Sequence, residues 1–198
     1  MAENIEENLR LELLAMRDED SRVRENLAAT GELFDGYCPK MESVHLKNAK
    51  RLEELIDKHG WLGTSKVGAD GAEAAWLVAQ HAISLPEFSK KVLTLLREAE
   101  QTGEVPLWQS AYLADRIAFF ENRPQRCGTQ SDWNERGEMQ VWTLENEAKV
   151  NDYRAEVGLK PLENKIAQSK EFEENAPQNW QKRQQEFLEW TRKVGWRE

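Results

Sequence analysis

The sequence predicts an all-α protein built as a compact multi-helix bundle. Apolar residues recur at steps of three, four and seven, which is the spacing that places them on one helical face. Glycines and prolines separate these stretches at positions typical of helix ends. No stretch alternates strand and helix signals, and no clean period indicates a stack of helical repeats.

The first two helices are predicted from their apolar stripes. One is expected over residues 5–30 and the other over residues 41–59, each ending at a glycine. Residues 32–39 are predicted to form the loop between them, and residues 61–69 the loop that follows.

Capping signatures predict the next two helices. Asp70 and Glu73 have the spacing of a capping box before an alanine-rich run, residues 72–83, that is apolar nearly all round. This run is predicted to be a buried central helix. Ser84 and Glu87 repeat the signature before the following helix, which tolerates a proline in its first turn.

The second half of the chain is less regular. A helix is predicted over residues 106–122, and another over residues 145–157. Between them a short β-hairpin is expected near residues 126–143, pairing residues 140–143 with residues 126–130.

Two domains are predicted from these elements. Residues 1–165 form the helical body, and residues 166–198 form a C-terminal extension of amphipathic helix broken at Pro177. The extension carries three of the eight tryptophans: Trp180, Trp190 and Trp196.

Composition excludes several function classes. The formal charge of −9 over 198 residues argues against nucleic-acid binding, which draws its affinity from phosphate neutralisation. No apolar run approaches the ~20 residues of a membrane span, and the acidic N-terminus is unlike a signal peptide. The isolated Cys38 and Cys127 are typical of a reduced, cytoplasmic protein, although pairing between them stays open.

Polar residues that interrupt apolar helical faces are the main functional candidates. They are Asp20, His45, Gln80, His81 and Asp115, which lie on four predicted helices. Burying a carboxylate costs several kcal/mol unless it is paired. Each residue alone has a structural interpretation, as a cap, an ion pair or a satisfied core histidine. Together they indicate a polar cleft between helices.

The donor-rich segment from Arg123 to Gln130 is a second candidate. Arginines suit a carboxylate or a phosphate, and Gly128 lets a ligand approach the backbone. The residues predicted to contact ligand here and on the preceding helix are Arg116, Arg123, Gln125, Thr129 and Gln130. The alternative is a helix-exit loop whose side chains satisfy nearby backbone groups.

Familiar catalytic signatures are mostly missing. The sequence has no Walker loop, nucleophile elbow, H-E-x-x-H motif or dinucleotide fingerprint. Glu42 and His45 form half of a carboxylate-bridged di-iron signature, without a second copy. A mononuclear site from His45, His81 and an aspartate stays open, so the leading interpretation assigns neither metal ligand nor cofactor.

Several stretches resemble an uncharacterised bacterial family, the domain of unknown function 6624. They are Leu13–Met16 with Glu19-Asp20, Leu33–Tyr37 with Met41-Glu42 and Val44-His45, Gly60-Trp61, Val67-Gly68, Asp70–Ala72, Ala74–Leu77, Gln80–Ala82, Asp115-Arg116, Arg123–Gln125, Gly128–Gln130, and Val157–Leu159. The resemblance covers roughly residues 9 to 165. It implies no reaction, but it implies that the polar residues of the cleft belong to a family pattern. Members commonly have Tyr at Cys127 and Pro at Leu62 or Gly63.

We therefore expect a cytoplasmic helical protein whose cleft binds a small polar or anionic ligand; whether it also transforms that ligand stays open. His81 is predicted to be the general acid/base, since imidazole titrates near neutrality, and Asp20 or Asp115 to orient it. His45, Gln80 and the loop residues are predicted ligand contacts.

Two alternatives stay open. The Trp-rich C-terminal helix is typical of a surface that captures a protein partner. A metal-dependent enzyme using His45, His81 and carboxylates is the other alternative.

Overall fold

The computed structural model describes residues 6–33, 37–169 and 176–198 and divides the chain into two compact units. The first unit ends at Pro106 and the second begins at Leu107. Ile5, Phe34, Asp35, Gly36 and residues 170–175 of the predicted extension lie outside the described residues.

The first unit consists of four helices. Their bounds are α1 Glu7–Thr30, α2 Pro39–His59, α3 Thr64–His81 and α4 Pro86–Glu100. The predicted helical stretches are thus confirmed. None of the helices within the described ranges combines the length and the apolar character needed to cross a membrane.

The second unit is helical around one small sheet. Its elements are α5 Leu107–Phe120, β1 Ser131–Trp133, β2 Met139–Val141, α6 Val150–Glu156, α7 Leu162–Ser169 and α8 Trp180–Val194. The described part of the chain is therefore mostly helical with one short antiparallel hairpin, as predicted.

The hairpin pairs different residues from those expected. Ser131 lies opposite Val141 and Trp133 opposite Met139, so residues 126–130 are not part of the ladder. The Trp142 N–H still donates to the Gln130 carbonyl at 3.0 Å, but backbone N–H groups within residues 126–130 are held by the Gln125 and Asp115 side chains. Side-chain hydrogen bonds of this kind compete with strand pairing.

Helix α3 begins earlier than its capping signature predicts. A first turn from Thr64 precedes Gly68, whose φ of 72° and ψ of 167° interrupt the helix. Only glycine adopts such a backbone without strain. The glycines of residues 61–69 therefore predict a loop, although helical turns lie on both sides of Gly68. Asp70, the expected cap, accepts the Gly71 N–H and binds the Arg10 guanidinium.

Ser84, predicted to cap α4, contacts α2 instead. Leu85 precedes the helix without a side-chain cap, and the Ser84 hydroxyl donates instead to Glu42 on α2, at 2.5 Å. The Ser84–Glu42 bond thus connects α2 to the segment that follows α3.

Helices α1, α2 and α3 pack together through their apolar faces. Leu13, Leu52, Ala74 and Ala75 are fully buried, as the stripes and the alanine-rich run predict. Small side chains on α3 let neighbouring backbones approach closely, which brings polar groups on facing helices within hydrogen-bond reach.

Helix α8 packs within the second unit through its aromatic side chains. Phe120 stacks on Trp196 with ring centroids 5.4 Å apart, and Phe119 contacts Phe187. The Trp180 indole N–H donates to the Trp133 carbonyl at 2.7 Å. The tryptophans of the predicted extension therefore cover residues of their own unit.

Truncating the buried tryptophan tests this packing. Trp196 is 6% exposed, so Trp196→Ala should lower the free energy of unfolding by about 3 kcal/mol, through lost burial and a cavity. Leu188 lies on α8, which ends just before Trp196, and is 37% exposed, so Leu188→Ala is the control and should change the free energy of unfolding by less than about 1 kcal/mol. Urea titration of both variants measures the difference, and equal effects would show that α8 does not pack as described.

Candidate functional site

Asp20 is a buried carboxylate on the core face of α1. It is 2% exposed and lies in the stripe between Met16 and Leu27, so its charge is removed from water. A buried charge needs partners of opposite charge or hydrogen-bond donors. Both partners here are histidines from neighbouring helices.

His81 and His45 converge on the same oxygen of Asp20. The Nδ1 of His81, the last residue of α3, lies 2.8 Å from Asp20 Oδ2 in a well-formed hydrogen bond. The Nε2 of His45, on α2, lies 3.1 Å from the same oxygen. The two imidazole rings are 5.0 Å apart between centroids. Asp20, His45 and His81 are called the Asp–His–His cluster below.

Two polar atoms of the cluster lack a hydrogen-bond partner among the described residues. One is Asp20 Oδ1, and the other is His45 Nε2, which is close to Oδ2 but out of line for a hydrogen bond. The contact between His45 and Asp20 is therefore electrostatic rather than a formed hydrogen bond. Buried polar atoms without partners are uncommon, and a water molecule or an ion is one kind of group that would satisfy them.

The histidines keep Asp20 ionised. Burial by itself raises the pKa of this carboxyl, but its interactions with His45 and His81 outweigh burial and hold the pKa well below its usual range. Asp20 thus stays ionised at physiological pH, with an imidazole on each of two neighbouring helices beside it.

Two further contacts fix the cluster in place. The Asn48 side chain, one turn after His45 on α2, donates to the Met16 carbonyl on α1 at 3.1 Å. The Tyr37 hydroxyl, just before α2, lies 2.7 Å from His45 Nδ1. Together they set the register of α1 against α2 and orient the His45 ring.

The cluster has the donor set of a mononuclear metal site. One ligand atom from each of its three residues lies within 4.8 Å of the others. Donors around a single transition-metal ion, with bonds of about 2.0–2.2 Å, lie about 3–4 Å apart. Small side-chain adjustments would bring these atoms to that spacing.

Asp115, the other predicted catalytic carboxylate, lies in the second unit and organises a loop. Its Oδ1 accepts the Arg126 N–H at 2.9 Å, its Oδ2 accepts the Thr129 N–H at 3.0 Å, and the Cys127 N–H reaches both oxygens. Both oxygens are therefore occupied by backbone donors. The structure gives Asp115 the role of a loop anchor.

The predicted ligand-binding loop is held by its own side chains. Gln125, fully buried, donates to the Gln130 and Trp142 carbonyls and accepts the Gln130 N–H. Thr129 is buried and accepts from the Gln130 side chain, while Arg123 is exposed and pairs with Glu121. These contacts match the helix-exit alternative.

Two predicted site residues remain, Gln80 and Arg116. Gln80 is buried on α3, next to His81 in the chain, and Arg116 is half-buried on α5. The prediction that one cleft unites these residues with Asp115 and the Asp–His–His cluster stays a prediction.

Sequence reasoning missed three residues that support these sites. Tyr37 lies in the loop before α2, where no periodic pattern marks it. The spacing of Ser84 predicts part of a capping signature, not a partner of Glu42. Arg154 is buried on α6 and donates to the Cys127 carbonyl at 2.6 Å. The E-x-x-H spacing of Glu42 and His45, and the break that His45 makes in the apolar stripe, are the sequence signals for a polar neighbourhood on α2.

The family comparison gives one match. A family described as of unknown function, DUF6624, matches residues 7–173. The chain belongs to DUF6624. The match begins with α1 and ends before α8, so the Asp–His–His cluster and the Asp115 loop lie within the DUF6624 region. No curated protein and no solved structure matches the chain.

Cys127 of this DUF6624 member is a buried, protonated thiol. Burial and the nearby Asp115 charge raise its pKa to about 11. Both Cys127 and Cys38 are free and buried. The thiol therefore stays neutral at physiological pH and is a poor nucleophile.

Alkylation tests the state of Cys127. A pKa near 11 rather than 9.0 lowers the thiolate fraction at pH 8 by about 100-fold, and burial slows attack further. Iodoacetamide labelling of Cys127, followed by peptide mass spectrometry, should therefore be at least 100-fold slower in the folded protein than in denaturant. Equal rates in the two states would contradict the burial described.

Replacing Asp115 tests its anchoring role. Asp115→Asn turns one acceptor oxygen into a donor that faces backbone N–H groups, so the free energy of unfolding should fall by about 2–3 kcal/mol. Asp152→Asn, an exposed change on α6 of the same unit, should have little effect. Urea unfolding of the two variants measures this difference. An Asp115→Asn protein with the free energy of unfolding of the wild type would contradict the anchoring role of Asp115.

Proposed function

We propose that this protein binds one divalent transition-metal ion through Asp20, His45 and His81 and uses it to act on a small polar or anionic ligand. The observation that carries the proposal is the pair of buried atoms without partners, Asp20 Oδ1 and His45 Nε2. Both offer lone pairs, and both belong to residues that already converge with His81.

The electrostatics of the cluster favour a cation. Asp20 is buried and ionised, and no lysine or arginine pairs with it among the described contacts. A buried carboxylate is costly without full compensation. A divalent ion would neutralise the charge and take up both unpaired atoms, whereas the hydrogen bond from His81 satisfies only one oxygen.

The donor set determines the class of metal. Two imidazoles and one carboxylate suit zinc in a catalytic site, or iron(II) in a facial triad, rather than calcium or magnesium. Three protein ligands leave coordination positions for water or ligand. A metal in such a site supplies Lewis-acid activation of what binds there. His81, at 20% exposure, marks the side of the cluster nearest to solvent.

A second candidate function is acid–base chemistry without metal. The observation that favours it is the 2.8 Å hydrogen bond between His81 Nδ1 and Asp20, because a carboxylate that orients an imidazole supports proton transfer at the other nitrogen. In this mechanism His81 is the general acid/base and Asp20 its orienting group. It leaves the unpaired His45 Nε2 without a role.

No contact in the described structure favours partner capture by the C-terminal helix. Trp180 and Trp196 are engaged by Trp133 and Phe120 of their own unit, so they are not available as docking side chains without unpacking. Ligand contacts by Arg116, Arg123 and Gln130 stay predictions.

Metal titration tests the leading proposal. The purified, chelator-stripped protein should bind one equivalent of Zn²⁺ or Co²⁺ by calorimetry. Zinc at about 100 times Kd should raise the free energy of unfolding by about 2.7 kcal/mol. Asp20→Asn, His45→Ala and His81→Ala should each weaken zinc binding by more than about 100-fold, beyond the usual effect of changing an outer partner.

The third histidine of the chain is the matched control for this experiment. His59 lies at the end of α2 and is not part of the cluster, so His59→Ala should bind zinc as the wild type does. Equal losses in His59→Ala and His45→Ala would show non-specific histidine binding. A folded wild-type protein that binds no transition metal would overturn the proposal and leave the acid–base mechanism.

A further inference from the structure

We infer that Tyr37 is a positioning residue that fixes the His45 tautomer, so that His45 presents Nε2 as a metal ligand. This inference rests on the proposed metal site and adds an outer partner to it. The observation behind it is the 2.7 Å contact between the Tyr37 hydroxyl and His45 Nδ1.

A histidine binds a metal through one nitrogen, and the proton sits on the other. The second nitrogen of a metal-binding histidine usually donates to an outer acceptor, which sets the tautomer and the ring orientation. Metal binding through Nε2 leaves the proton of His45 on Nδ1, whose N–H then needs an acceptor. A hydroxyl oxygen accepts hydrogen bonds, and the Tyr37 oxygen lies at the right distance.

The rings around His45 also limit its orientation. The Tyr37 ring stacks on the imidazole with centroids 5.8 Å apart and planes 22° apart, and the His81 ring lies on the imidazole at 5.0 Å. His45 is buried to 7% exposure, so rotation out of this arrangement would require unpacking. Tyr37 therefore contributes both an acceptor and a packing surface to the same ring.

The two contributions can be separated by one substitution. Tyr37→Phe keeps the stacked ring and removes only the acceptor. An outer-partner change of this kind typically weakens metal binding by about 10–100-fold. We expect zinc affinity of Tyr37→Phe to fall within that range, while the melting temperature of the metal-free protein changes little.

Tyr153→Phe is the matched control. Tyr153 lies on α6, in the second unit, where its ring faces the Arg126 guanidinium, so its hydroxyl has no role in the cluster. Zinc affinity of Tyr153→Phe should equal that of the wild type. The Co²⁺ absorption spectrum of Tyr37→Phe should keep the shape of the wild-type spectrum, because all three ligands are retained, whereas that of His45→Ala should change.

A double-mutant cycle shows whether Tyr37 acts through His45. In the His45→Ala background, Tyr37→Phe should have no further effect on zinc affinity, because the ring that it positions is gone. Equal effects of Tyr37→Phe in both backgrounds would overturn the inference. Wild-type affinity in Tyr37→Phe would overturn it too while leaving the metal site intact. A wild-type protein that binds no zinc would remove the site and this inference with it.

Discussion

The contact on which the first unit depends is the approach of two imidazoles to the buried Asp20 carboxylate. A carboxylate at 2% exposure requires compensation, and its partners come from α2 and α3 rather than from its own helix. The three helices must therefore pack in one register. A shift of one residue along α2 would rotate His45 by about 100° away from Asp20. The Asn48 bond to the Met16 carbonyl holds that register one turn away.

Asp20 and Asp115, the two most deeply buried carboxylates among the described residues, are compensated in different ways. The difference bears on which of them is suited to chemistry. Asp115 receives three backbone N–H groups that occupy both of its oxygens, and such donors neither titrate nor move without unfolding the loop. Asp20 is compensated by imidazoles, which gain and lose protons, and one of its oxygens stays unpaired. A saturated carboxylate stabilises structure, and an unsaturated one beside titratable groups is suited to bind or to react.

The sequence was most informative about the site where a polar residue stood at a position that the helical period assigns to the buried face. Asp20 and His45 interrupt apolar stripes, so burial and the need for partners followed from helical spacing alone. The tight turn at Gly68 and the hairpin register did not follow, because glycine and side-chain bonds override local pattern there. Tyr37 was not predicted as a site residue because a contact between a loop and a helix leaves no periodic signal. Helical periodicity also placed Asp115 in the same predicted cleft as the histidines. The pattern shows that a residue is buried, but it does not show which groups form hydrogen bonds with its carboxylate.

Protons and the proposed metal ion would compete for the same lone pairs in the Asp–His–His cluster. An ionised Asp20 facing a neutral His45 through Nε2 places two electron-rich atoms 3.1 Å apart in a buried site. Two lone pairs this close need either the N–H of Nε2 or a bound cation between them. With a cation bound, the Tyr37 hydroxyl would accept the hydrogen bond from His45 Nδ1–H and keep the ring in place. Metal binding at this site would therefore displace any proton held on Nε2, and its affinity would weaken as the pH falls, as at other sites with imidazole ligands.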